Sequence, residues 1–210
     1  MSMPSDLSKA AALKSGRRVP QQDRGERRVA EVLEAAAAVI AEVGYDAATM
    51  TAMAERAGAS IGALYQYFPN KDAIARALRH QYGNEMEARW SPLAEQGAKL
   101  SVKQMVDAIF DVMTDFMDHR PAYIPLMNVP RDYKRDPARR NRLREHFASL
   151  FRQKRPELTH DEAFRIANVV FQIVKGMAPL YAEANRAERL EIVREFKLLL
   201  TTYLSARLRT

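Results

Sequence analysis

In TMTAMAERAGASIGALYQYFPNKD, residues 49–72, two short helical patterns meet across a turn so tight that they must pack side by side. The first pattern runs over about 50–57, with Met53, Ala54 and Ala57 on one side. Gly58 supplies the positive φ that ends a helix at low cost. Ser60 follows as an N-cap, its hydroxyl placed to accept from the free amides of the next turn. The second helix, over 61–67, is expected to turn Ile61, Leu64 and Phe68 inward at spacings of three and four. Gly62, Ala63, Tyr65, Gln66 and Tyr67 are left on its other faces. Helix, short glycine turn and helix is the layout of a helix-turn-helix, whose second helix fits a DNA major groove. A plain helical hairpin shares that geometry. What separates the two is the outward surface, small at its start, so that a phosphate backbone can come close, and then bearing two phenols and an amide.

The rest of the chain reads as helices on either side of this unit. A helix over about 22–43 carries Val29, Val32, Leu33, Ala36, Ile40 and Val43 at three and four, an amphipathic stripe stopped by Gly44. Thr49 is the expected N-cap of the next helix. Pro69 ends the recognition pattern, and Asn70 caps a long helix with Asp72 in its first turn, where an acid favours the dipole. That helix carries Ile74, Leu78, Tyr82, Met86, Trp90 and Leu93, and Pro92 is expected to kink or end it near Trp90. A domain boundary falls inside it, dividing an arm over 1–20, a DNA-binding unit over 21–78 and a second unit over 79–210. With no flexible linker, a tilt in one half passes to the other.

Further on, Ser101 caps a helix whose apolar face holds Met105, Val106, Ile109, Phe110, Met113, Phe116 and Met117. Pro121, Pro125 and Pro130 leave room for only a short helix over about 122–127. A helix over about 137–153 turns Leu143, Phe147, Leu150 and Phe151 inward, and the basic run over 131–144 beside it reads as a solvated face. Thr159 with Glu162 forms a capping box. The helix after it is apolar nearly all round, which requires cover on two sides. The last helix, over about 187–208, shows Leu190, Val193, Phe196, Leu200 and Leu204 beside a second set, Ile192, Leu199 and Tyr203. Two terminal helices with surplus apolar surface point to a symmetric dimer through a four-helix bundle. Ile166, Val170, Ile173, Val193, Phe196, Leu200 and Leu204 are the expected contacts.

Composition narrows the function classes. With 47% apolar and 28% charged residues the chain is an ordinary globular one, and no run of about 18 apolar residues offers a membrane span. No apolar leader opens it, and it has no cysteine, so disulfides, thiolate metal sites and thiol catalysis are excluded and a cytoplasmic setting is expected. The net charge of +7 suits a polyanionic partner. Seven basic residues (Lys9, Lys14, Arg17, Arg18, Arg24, Arg27, Arg28) precede or open the first helix, an arm that suits phosphates, a minor groove or simple solubility. The four histidines lie in separate segments, none in a His-Glu-x-x-His pair or another close metal-ligand motif, and no glycine-rich phosphate loop is present. No enzyme, cofactor or metal is expected.

Gly44, Tyr45, Thr49, Ala54, Ala57, Gly58, Ser60, Gly62, Leu64, Tyr65, Tyr67, Phe68 and Lys71 together resemble the DNA-binding domain of TetR-family transcriptional regulators, over about residues 24–75. Ala59, where valine is usual, and Ala48, where threonine is frequent, depart from the pattern without removing a charge or a cap. The resemblance implies an all-α protein of about nine helices, with a three-helix DNA-binding domain and a helical ligand-binding and dimerisation domain. It implies that Thr49, Ser60, Tyr65, Tyr67 and Lys71 grip phosphates, while Gly62, Ala63 and Gln66 face the bases. It also implies an effector in the second half, where Met86, Trp90, Met105, Phe110, Met113, Met117, Tyr123, Phe147, Asn168 and Phe171 suit either an adaptable apolar cavity or a packed core. His80, Asp115 and Gln172 are further polar candidates. The function expected is a homodimeric regulator, a repressor released from a palindromic operator by a small, largely apolar ligand. The alternative is a constitutive DNA-binding protein with no sensor.

Overall fold

The structure is a computed structural model and describes residues 21–129 and 137–209, with side chains over 24–129 and 141–209. The arm over 1–20 and most of the basic run lie outside the described residues. Within them, all regular structure is helical: α1 Gln21–Ala47, α2 Met50–Arg56, α3 Ile61–Tyr67, α4 Lys71–Gln96, α5 Val102–His119, α6 Tyr123–Asn128, α7 Pro137–Lys154, α8 His160–Glu183 and α9 Arg186–Leu208. A 3-10 turn, Gly97–Lys99, follows α4.

Local chemistry sets most of these boundaries. Thr49, Ser60, Asn70, Ser101 and Thr159 each accept a backbone N–H of the following turn through the side chain, and the last two are full capping boxes. Asn185 does the same for α9 with Glu188 reaching back. Each such cap satisfies amides the helix itself cannot.

α1 to α3 wrap one small core of Val32, Ala36, Ile40, Met53, Ala54, Leu64 and Phe68. α4 leaves this unit and runs into the second, where α5 and α7 pack on it and α8 and α9 close the bundle. Ile74, Leu78, Tyr82, Met86 and Trp90 are buried along its length, so one continuous stripe joins the two halves.

Three expectations are corrected. Val43 is 52% exposed. α1 breaks at Gly44 (φ 79°) and the chain turns Tyr45 into the core in its place. Ile61 is 40% exposed, because side chains at the first turn of a helix lean back past its start, where nothing covers them. Pro92 does not end α4, which continues to Gln96. Pro92 and Ala88 both lie on the solvent side, so the carbonyl freed by the missing N–H faces water rather than protein.

Candidate nucleic-acid interface

The α2–α3 turn is built by backbone bonds of the Schellman type. Ala59 N donates to Ala54 O at 2.9 Å and Gly58 N to Glu55 O at 3.0 Å, with Gly58 at φ 58°. A side chain would strain that conformation. From α1, Arg28 Nη2 donates to the Gly58 carbonyl at 3.2 Å while its Nη1 bonds Glu31, so the first helix braces the turn. A second brace, Arg56 to Glu42 at 2.6 Å, ties α2 to α1.

The caps at Thr49 and Ser60 hold the starts of α2 and α3, with oxygen-to-amide distances of 3.1 and 3.2 Å. Only Leu64 is buried within α3, and Phe68 anchors its end. The opposite face is open. Tyr65 is 52% exposed, Tyr67, Gln66 and Gly62 are exposed, and Ala63 is half-buried. A Cβ added at Gly62 would meet nothing in the chain. Glycine at a helix position costs stability relative to alanine, and no internal contact here requires it.

Lys71 sits differently from the expectation of a phosphate grip. Its ammonium donates to the carbonyls of Tyr45 at 2.8 Å and Asp46 at 3.0 Å, and lies 4.5 Å from the centre of the Tyr45 ring. An ammonium has three protons, so one is left for an outside acceptor. Beside it, Tyr45 Oη donates to Asp72 Oδ1 at 2.5 Å. Burial, then that carboxylate, pushes the Tyr45 phenol well above its ordinary value, so it stays protonated. The start of α4 is therefore stapled to the end of α1.

Two arginines that the sequence reading passed over hold α4 at its other contacts. Arg79 donates to the Leu126 carbonyl at 2.9 Å and to that of Val129 at 3.0 Å, capping the C-terminus of α6. Arg120, at the end of α5, makes a two-pronged bond to Glu85 at 2.8 and 3.2 Å and reaches Glu34 of α1 at 3.8 Å. Burial pushes the Glu85 carboxyl up, but the Arg120 and Gln81 hydrogen bonds more than offset it and hold the group below its usual value. Neither arginine carries a local sequence signal, since the nearest of their partners lies 35 residues away.

In the second unit, the apolar side chains expected to line a ligand pocket belong to one cluster. Met86, Trp90, Met105, Phe110, Met113, Met117 and Phe147 are buried, while Tyr123, Asn168 and Phe171 are partly so. Trp90 packs on Phe171 at 5.1 Å and Phe147 at 6.2 Å between ring centres, and Phe116 meets Tyr123 at 5.2 Å. Asn168 Oδ1 accepts from Arg144 Nε at 2.7 Å. An open hollow of about 600 Å³ lies elsewhere, between α1 and α2, lined by Val39, Glu42, Val43, Ala47, Ala52, Glu55 and Arg56.

The expected dimer contacts divide. Ile166, Val170, Leu200 and Leu204 are buried inside the chain, as α8 and α9 spend those positions on α5, α7 and each other, so they offer no surface to a partner. Ile173, Val193 and Phe196 are partly exposed. One helical step round lies a different apolar face: Val169, Ile173 and Leu180 on α8, with Ile192, Phe196, Leu199 and Tyr203 on α9 at alternating spacings of four and three.

Comparison with known proteins agrees with this architecture. Residues 32–78 match the family model described as bacterial regulatory proteins, tetR family, and residues 101–204 match the tetracyclin repressor-like C-terminal domain. The HTH-type transcriptional regulator BetI of Proteus mirabilis is 33% identical over 88 residues, 40% of this chain and 44% of that protein. The chain thus spans less than half of that relative. BetI of Cronobacter sakazakii is 26% identical over 158 residues, 70% of this chain and 75% of its own length. Among solved structures, a single-substitution variant of TetR from Acinetobacter baumannii in complex with minocycline superposes with a TM-score of 0.61 at 19% identity, covering 86% of this chain and 97% of that one. Such a likeness shows the fold. Among the described residues no helix is long and apolar enough to cross a membrane. The two family models, laid end to end along one helical architecture, place the chain in the TetR family of DNA-binding transcriptional regulators.

Proposed function

We propose that the protein is a homodimeric repressor that holds a roughly palindromic operator and releases it when a small, largely apolar effector enters the second unit. The observation that carries this reading is the open face of α3, which is small at Gly62 and Ala63, polar at Gln66, and flanked by the exposed phenols of Tyr65 and Tyr67. Such a face gains nothing for the monomer. In a major groove, Gln66 offers an amide that can pair with an adenine edge, while Thr49, Ser60, Tyr65 and Tyr67 bond phosphates and set the register. Lys71 holds the start of α4 and directs its remaining proton and charge at the backbone.

Dimerisation through the face bearing Ile173, Leu180, Ile192, Phe196, Leu199 and Tyr203 sets two copies of α3 against successive major grooves, with half-sites about one turn of DNA apart. Coupling runs through α4. It is stapled to α1 by Tyr45 and Lys71, to α6 by Arg79 and to α5 by Arg120. An effector that favours one position of α5 and α6 therefore favours one tilt of the DNA-binding unit, and it acts only through that difference in affinity. The minocycline complex of the Acinetobacter baumannii protein supports an effector site in this fold. The mutual packing of Trp90, Phe147 and Phe171 favours a second reading, a constitutive DNA binder with no sensor.

Selection of bound sequences from a random duplex pool tests the first claim. A two-fold motif with half-sites about one helical turn apart is the expected result, and recovery of no motif contradicts it. Screening a small-molecule library for release of that duplex separates the two readings, since the constitutive binder releases for none.

A further inference from the structure

Among the described residues nine large apolar side chains are exposed, and three of them, Ile61, Tyr65 and Tyr67, fall on the seven residues of α3. The two tyrosines carry hydroxyls that can serve a phosphate or a base edge. Ile61 carries carbon alone. It is 40% exposed, stands outside the buried core and occupies the first position of the helix. Its place is nonetheless fixed. The Ser60 hydroxyl accepts from Ala63 N at 3.2 Å and holds the start of α3, and a β-branched side chain in a helix strongly favours one χ1 rotamer. Gly62, next to it, is exposed and adds no side chain, so the start of the helix can sit close against a partner.

We propose that Ile61 is a sequence-reading residue, selecting a thymine in each operator half-site by contact with its C5-methyl group. The inference rests on α3 being the helix that enters the major groove. A recognition helix meets base edges with its N-terminal residues, and Ile61 is the first of α3. Adenine, guanine and cytosine present hydrogen-bond donors and acceptors in that groove, and an isoleucine side chain can serve neither. The thymine methyl is the one methyl group on that surface, so thymine is the base that gains from burying Ile61. Against any other base the same contact strips water from a polar edge and returns no bond. Ile61 precedes Gln66 by five residues, about 7.5 Å along the helix, so the thymine falls within about three base pairs of the position that Gln66 reads.

Each thymine of the selected half-site is replaced in turn by uracil, in both half-sites, and binding of the full chain is followed by fluorescence anisotropy. Uracil keeps the O4 acceptor and its pairing with adenine and lacks only the methyl. At one position near that governed by Gln66, the wild type is expected to bind the uracil duplex about fourfold more weakly for each half-site, the value of one buried methyl. Ile61→Ala binds the thymine and uracil duplexes alike at that position and keeps the preference set by Gln66. The two duplexes are compared on one protein, so a variant that folds less well weakens both and leaves their ratio intact. A wild type indifferent to uracil at every thymine, a half-site with no thymine within that distance, or an equal uracil penalty in Ile61→Ala overturns the proposal. Any of these together with a motif that still depends on Gln66 leaves α3 as the reading helix. Recovery of no motif removes both.

Discussion

Tyr45 and Asp72, 27 residues apart, meet in a hydrogen bond of 2.5 Å that fastens the end of α1 to the first turn of α4. A part-buried phenol bonded to a carboxylate is worth about 1.5–3 kcal/mol. Tyr45→Phe is expected to lower the unfolding free energy by about that amount, measured by urea titration. The sign with pH follows from the raised phenol. The bond's contribution is fully present below the ordinary tyrosine value of about 10 and is lost as pH climbs through the higher folded value. The difference between wild type and Tyr45→Phe therefore narrows only at strongly alkaline pH.

Gly62→Ala separates stability from function. Alanine suits a helix better by up to about 1 kcal/mol and meets nothing inside the chain, so the variant is expected to melt slightly higher. The same methyl intrudes on the face offered to DNA. Fluorescence anisotropy on the selected operator should show weaker binding by the more stable protein.

On the face proposed for dimerisation, Leu199 and Leu200 are neighbours with opposite fates, 53% and 0% exposed. Leu199→Glu is expected to fold normally and sediment as a monomer at micromolar concentration. Leu200→Ala leaves a cavity and costs about 2–5 kcal/mol of stability. If Leu199→Glu stays dimeric, the interface lies elsewhere.

Arg79→Ala uncouples α6 from α4 by removing both carbonyl bonds. The expected phenotype is a repressor that still binds the operator but needs more effector to release it, read as a rightward shift of the release curve.

What the sequence makes legible follows from the range of each interaction. Thr49, Ser60, Asn70, Ser101 and Thr159 are readable as caps because a cap and its amide lie two or three residues apart. The Gly58 turn is readable for the same reason. Periodicity finds the buried Leu64, Ile74, Phe110 and Phe147, but it names apolar positions without saying which neighbour they face. That is why it offers Leu200 and Leu204 of α9 to a partner, when those side chains fill the chain's own core and Leu199, beside the partly buried Ile192 and Tyr203, is the open one. Ile61 and Val43 fail at helix ends, where the stripe continues but the cover does not. Arg28 on Gly58, Lys71 on Tyr45 and Arg79 on Leu126 join residues 26 to 47 apart, and nothing local announces them.

Gln66 carries the claim that α3 chooses sequence rather than merely gripping phosphate. Repeating the duplex selection with Gln66→Ala is the decisive measurement. A changed base preference at one position, appearing symmetrically in both half-sites while the flanking preferences persist, is the expected result. An unchanged motif bound with equal affinity, or uniformly weaker binding to every sequence, would show that Gln66 reads no base and that the face of α3 is not the reading surface.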